Sequence, residues 1–468
     1  MRPDIQPHCP GSGQVTPPAH RIGPDISRRE LLGNCMKTLA LAMMPFDPQS
    51  SEPGLSEARR FLRKAQASAA KDAPGFPYKS LENVTEQSLI LLKVQRRLDP
   101  TSDVNTVRRG VSHFHREDEE ERIRHSEELV RRVQPGPFED PGYFAFLAYE
   151  AASIEMALPK LGKERFSQYL LGTIHEASVN AFSKQFDSTG YTVVLLYSGL
   201  IDFIYQCAKA VVEALHPVRT PESGSHDRRS LVQATMDLEK IRAELKANDA
   251  PVNRVYRTLE SYFFKGYPRA FANETLLAEH VPMLEVLVSM AERWTLAHEY
   301  GHGLASGLDF SKAPGKSSWS EEFVADNSAA ILTVSSAASL DDVRPEFALS
   351  GGNFSLACLD IIRRAYSIVT TGCEGQDSGS KTHPPYKLRA ERNIAVFRQF
   401  FDYRDNGDAG FDLDFVLREE TPAEHGFGSE YEGRVYAFSN VLFDIWPAVK
   451  ERLGQQFTAR RPLHKIWR

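Results

Sequence analysis

His298, Glu299 and His302 stand in the order H-E-x-x-H within Ala297-His298-Glu299-Tyr300-Gly301-His302. Residues four apart on a helix share a face, so both imidazoles can reach one metal ion. Glu299 lies one step round from His298, where it can address a water beside that ion. This is the geometry of a zinc-dependent protease helix. Two histidines on an ordinary helix give the same spacing by accident, so the reading needs a further carboxylate. Ser320-Glu321-Glu322-Phe323-Val324-Ala325-Asp326 supplies it, with Glu322 placed 20 residues after His302. That interval fits a loop and the start of a second helix. Glu322 would be the third ligand, leaving the fourth tetrahedral position to water. Asp326 falls one turn later on the same face and can accept the outer N–H of a liganding histidine, fixing its tautomer. Glu321 competes for the ligand role. Glu322 is preferred because it shares a face with Asp326, whereas Glu321 points about 100° away.

Helices are expected to do most of the positioning. Helical patterns cover about 54–72, 80–98, Phe144 to Leu158, Lys163 to Leu171, 233–247, 253–263 and 281–307. His115 to Arg132 is dense in Glu and Arg with opposite charges three and four apart, a solvated helix. Tyr191 to Tyr197 is β-branched and aromatic and reads as a strand. Gly199 turns it into a helix on which Leu200, Ile201, Ile204, Ala208, Val211, Val212 and Leu215 recur at helical spacing. The fold class is therefore α+β, mainly helical, with a small sheet beside the motif helix. Lys381-Thr382-His383-Pro384-Pro385 forms a rigid extended turn before a helix bearing Arg389 and Arg392.

With 468 residues, 41% of them hydrophobic, the chain has enough apolar content for two or three domains with real cores. Four segments are expected. Residues 1–53 read as a disordered leader, 54–134 as a charged helical region, 140–400 as the metal-bearing domain and 401–468 as a C-terminal extension. Lys and Arg number 56 against 62 Asp and Glu, a net charge of −6 that argues against a dedicated nucleic-acid binder. The five cysteines include no CxxC pair, which excludes a thiolate zinc site or redox dithiol of that kind. The apolar stretch Ser188 to Ile201 is shorter than the roughly 20 residues a spanning helix needs, so no integral membrane span is expected. Ser27-Arg28-Arg29-Glu30-Leu31-Leu32 has the form of a twin-arginine export signal. Its long preceding segment and the interruption at Lys37 favour a cytoplasmic location, with export through Arg28-Arg29 as the alternative.

In order, Asn180-Ala181-Phe182, the strand ending at Gly199-Leu200, His298 to His302, Glu322 to Asp326, and Thr382-His383-Pro384 with Arg389 resemble the family of HtpX and the CAAX prenyl endopeptidases, gluzincin zinc metallopeptidases. The resemblance spans about 180–392. It implies a gluzincin domain that holds one zinc ion and cleaves extended protein or peptide substrates, in protein quality control for the branch without membrane spans. It also implies that the strand before Gly199 is the sheet edge on which substrate pairs. His383 would stabilise the oxyanion or occupy the open coordination position, and Arg389 would hold the His383 loop. Almost a hundred residues separate Gly199-Leu200 from the motif helix, more than is usual in the family, so 216–280 reads as an insertion, a lid or substrate gate. The alternative function is a latent protein, or a zinc-binding sensor or interaction module that works through 54–134. The intact Glu299 speaks against the sensor or interaction module.

Overall fold

A computed structural model of the chain describes residues 51–72, 83–97, 116–161, 168–186, 189–215, 238–266, 276, 280–305, 317–338, 345–375, 383–405 and 429–457. The leader with Arg28-Arg29, the stretches 216–237 and 267–275, Thr382, and the chain after 457 lie outside them. The described part is mainly helical with one three-stranded sheet. Among the described residues no helix is long and apolar enough to cross a membrane.

The strands are β1 (Tyr169–Ile174), β2 (Ala181–Phe186) and β3 (Tyr191–Tyr197), in the spatial order β1-β3-β2. β3 pairs in parallel with β1 and antiparallel with β2. This corrects two expectations. Residues Tyr169–Leu171, read as the end of a helix, begin a strand. Their short apolar run is ambiguous between the two states, and pairing beside β3 decides it. The strand before Gly199 is not an edge but the middle of the sheet. Tyr191 to Leu196 is buried on both faces, and Val193 to Leu196 is an uninterrupted apolar run.

Both outer strands pair with β3 alone among the described residues, but β1 is buried throughout while β2 is only half-buried, so β2 offers the more accessible edge. The Tyr197 amide donates to the Asn180 carbonyl at 3.1 Å. Pairs exchanging hydrogen bonds alternate along an antiparallel ladder, so Ala181, Ser183 and Gln185 turn their peptide groups away from β3.

The helices before the sheet are α1 (Ser51–Asp72), α2 (Val84–Arg97), α3 (Arg116–Val133) and α4 (Pro141–Ala157). Asp140 caps α4 by accepting the amides of Gly142 and Tyr143, with Pro141 at the first helical position. After the sheet come α5 (Ser198–Ala214), α6 (Leu238–Ala247), α7 (Ala250–Lys265), α8 (Val281–Ala305), α9 (Ser317–Ala338), α10 (Pro345–Thr371), α11 (Tyr386–Asp405) and α12 (Ser429–Phe457).

Two hydrophobic clusters organise these elements. One joins Leu62, Leu92, Val130 and Phe144 from α1–α4 with the sheet and with Trp294, Ala297 and Tyr300 of α8. The other joins α5, α7, α10 and α12 with Met283, Leu287 and Ala291 of the same α8. Helix α7, inside the segment read as a lid, is thus built into the second cluster through Val255, Leu259 and Phe263, and Tyr262 Oη accepts the Val179 amide at 3.4 Å. It is a wall of the fold rather than a cover.

Candidate metal centre

The motif residues occupy the last turns of α8, which end against the sheet. Tyr169 Oη of β1 donates to the Tyr300 carbonyl at 3.1 Å, and the two rings lie 4.6 Å apart. On its other side α8 crosses α9 with almost no gap. A Cβ built on Gly301 would lie 2.7 Å from the Ala325 Cα, closer than real side chains come to backbone. Glycine inside the H-E-x-x-H motif therefore permits the crossing. The crossing in turn sets Glu322 and Asp326, either side of Ala325, against the two histidines.

His298 Nε2 and His302 Nε2 face each other at 3.0 Å. Glu322 closes the set, with Oε2 at 3.6 Å from His298 Nε2 and Oε1 at 3.4 Å from His302 Nε2. A tetrahedral ion bonded to such ligands at about 2.0–2.1 Å separates neighbouring ligands by about 3.3–3.4 Å. The three observed separations, measured to a different Glu322 oxygen for each histidine, bracket that value, so the donors are grouped closely enough to share one ion. Donor atoms of His298, Glu299 and His302 also lie within 4.8 Å of one another, a second triplet able to hold an ion. Both acids lie within reach of the histidines, Glu299 on the same helix and Glu322 facing them from α9. Glu299 is buried, and its Oε2 has no hydrogen-bond partner. Burial raises its pKa, against the pull of His302 and His298.

Behind the donors lies a layer that fixes them. His298 Nδ1 is 3.0 Å from Asp326 Oδ1. Arg389 clasps Asp326 with both arms, Nε to Oδ2 at 2.8 Å and Nη2 to Oδ1 at 2.7 Å. Burial alone would raise the Asp326 pKa, but the Arg389 charge and hydrogen bonds outweigh it and hold the carboxyl well below its usual range. An ionised Asp326 can only accept, so Nδ1 of His298 carries the proton and Nε2 presents its lone pair to the site. Arg389 Nη1 is also 3.5 Å from Glu322 Oε2. Arg389 therefore ties Asp326 to Glu322, a contact different from the loop-holding role the resemblance implied. Trp294, one turn before His298, stacks on its ring at 5.5 Å and 21°.

His383 stands at the mouth of the site, its side chain 53% exposed and its Nε2 at 3.5 Å from Glu322 Oε1. Burial lowers its pKa, opposed by Glu322 and reinforced by Arg389, His298 and His302, so the ring favours the neutral form.

The structure thus brings together all seven residues singled out in the sequence: His298, Glu299, His302, Glu322, Asp326, His383 and Arg389. Two further contributors were not foreseen. Trp294 was not singled out in the sequence, although four residues before His298 is one helical turn. Glu321 was set aside as a competing ligand, yet its Oε1 lies 3.6 Å from His302 Nδ1. Asn180 and Gly199 serve the sheet instead of the centre: the Asn180 carbonyl accepts from Tyr197, and the Gly199 amide donates to the Glu176 carbonyl at 3.0 Å. Compared with family models, with curated proteins and with solved structures, the chain gives no match in any of the three.

Proposed function

We propose that the chain is a zinc-dependent metalloendopeptidase of the gluzincin kind, the activity implied by its resemblance to the HtpX and CAAX prenyl endopeptidase family. One observation supports it above the rest: the buried Glu299 carboxylate lies beside the triangle of His298, His302 and Glu322, and a purely structural zinc site needs no such acid. His298, His302 and Glu322 would hold the ion. Two imidazoles and one carboxylate suit zinc, and bound zinc supplies Lewis acidity, which makes water a better nucleophile and polarises a peptide carbonyl.

The chain's own residues do the rest. Glu299 takes the proton from the attacking water on a carboxylate oxygen and passes it to the departing amine nitrogen. Its raised pKa suits a group that must hold the proton between those two events. Asp326, pinned by Arg389, keeps the His298 Nδ1 proton in place. His383, neutral and half-exposed, can donate from a ring nitrogen to the oxygen on which negative charge develops. An extended protein substrate would pair with the outward peptide groups of Ala181, Ser183 and Gln185 on β2, the strand with the more accessible edge.

The test combines metal analysis with cleavage of an unfolded casein substrate by full-length protein. Wild type is expected to hold close to one zinc per chain and to cleave. Glu299→Gln should retain the zinc and lose cleavage by at least about 10²-fold, the scale of one general acid–base group. Cleavage at the wild-type rate in Glu299→Gln, or a wild type that takes up no zinc, defeats the reading.

A further inference from the structure

The His302 imidazole lies between two adjacent carboxylates. Glu322 Oε1 is 3.4 Å from Nε2, and Glu321 Oε1 is 3.6 Å from Nδ1. Successive helical residues are set about 100° apart, so tandem acids near the start of α9 can address the two nitrogens of one ring from different sides. His298 meets the same pattern from another residue, Asp326, at 3.0 Å from its Nδ1. His298 also has the Trp294 stack, and Asp326 has the Arg389 clasp. His302 lies nearer to solvent, its side chain 19% exposed against 9% for His298. Its ring is therefore held less by packing and more by what its outer nitrogen meets.

We propose that Glu321 is a positioning residue for His302, an inference that rests on the reading of this site as a zinc centre. Its carboxylate accepts the Nδ1 proton, turns the Nε2 lone pair toward Glu322 and His298, and makes the imidazole a stronger donor. Outer partners of this kind are worth about 10–100-fold in metal affinity. Glu321 is 46% exposed, and its contact is longer than that of Asp326. Water competes with it, which sets the expected effect at the low end of that range.

The experiment measures zinc affinity of full-length wild type, Glu321→Ala and Glu321→Gln by competition with a chromogenic chelator, beside the thermal midpoint of each zinc-free protein. Glu321→Ala should bind about 10-fold more weakly, while Glu321→Gln, which keeps an acceptor oxygen, stays within about 3-fold of wild type. The zinc-free midpoints should coincide. Unchanged affinity in Glu321→Ala overturns the assignment. So does a Glu321→Gln as weak as Glu321→Ala, which would make the effect one of distant charge. So does a lowered zinc-free midpoint that accounts for the affinity loss, which would make the residue structural. A wild type that binds no zinc overturns the zinc-centre reading as well, and so separates the two failures.

Discussion

Gly301 of α8 and Ala325 of α9 touch backbone to backbone: a Cβ on the glycine would meet the alanine Cα at 2.7 Å and its carbonyl oxygen at 2.8 Å. Neither obstacle can rotate away, so a side chain at 301 must push the helices apart. Gly301→Ala is expected to cost about 1–3 kcal/mol of stability, as overpacking does. It should also weaken metal binding, because Glu322 moves with α9. Urea denaturation with and without metal measures both effects. Wild-type metal affinity in the variant would show that the crossing does not set the donor triangle.

Arg389 and Asp326 form a buried pair, 3% and 0% exposed. Removing one partner strands the other. Asp326→Ala is expected to destabilise the protein by about 3–5 kcal/mol, whereas Asp326→Ala combined with Arg389→Met should recover much of that loss. Denaturation midpoints of the two single variants and the double variant form a thermodynamic cycle. Additive losses would remove the pair from the account of how His298 is held.

Glu139 is buried where α1, α4 and β1 meet, accepting from the Thr173 amide at 2.9 Å, the Thr173 hydroxyl and Gln66. Burial, against those hydrogen bonds, pushes its pKa up to about 8. An unfolded chain releases this proton near pH 4.3, about the ordinary glutamate value. Between about pH 4 and 8 the folded protein binds the extra proton, so stability falls as pH rises, by at most about 1.4 kcal/mol per unit. Glu139→Gln cannot titrate and should flatten the profile over that window. Parallel profiles for variant and wild type would exclude Glu139 as the source.

Ser183 turns its amide away from β3, so proline at that position removes no ladder bond. Ser183→Pro is therefore expected to leave the fold and the zinc content intact while raising KM for an unfolded protein substrate by about 10-fold or more. The loss of one backbone hydrogen bond and the bulk of the ring both contribute. Unchanged KM would place the substrate elsewhere than the β2 edge.

The spacing of charged residues along helices proved the most informative part of the sequence. His298, His302, Glu322 and Asp326 sit on two helices whose period is fixed, so their convergence follows once the helices cross. The contribution of Glu321 was hidden by asking only which acid reaches the inner nitrogen. An imidazole has two nitrogens, and the angle that turns Glu321 from one carries it toward the other. The sheet was less legible. Tyr169 to Ile174 carries no periodicity that separates strand from helix, and only its pairing with β3 decides. The apolar run Val193 to Leu196 marks β3 as buried on both faces, but the outer strand β1 is buried throughout as well, so only the pairing shows which strand is central. The partner of Arg389 could not be read from spacing, because 63 residues separate it from Asp326.

Helix α8 contributes Met290, Trp294 and Tyr300 to one hydrophobic cluster and Met283, Leu287 and Ala291 to the other. It is a party wall between two rooms, and neither room can be emptied without exposing one side of it. Local opening of either half should therefore spread to both through this helix, and the amides of Leu296 to Gly301 should exchange with solvent only when the molecule opens as a whole. A damaged residue in α12 and one in α1, far apart in sequence, would then loosen the same turn of His298 to His302.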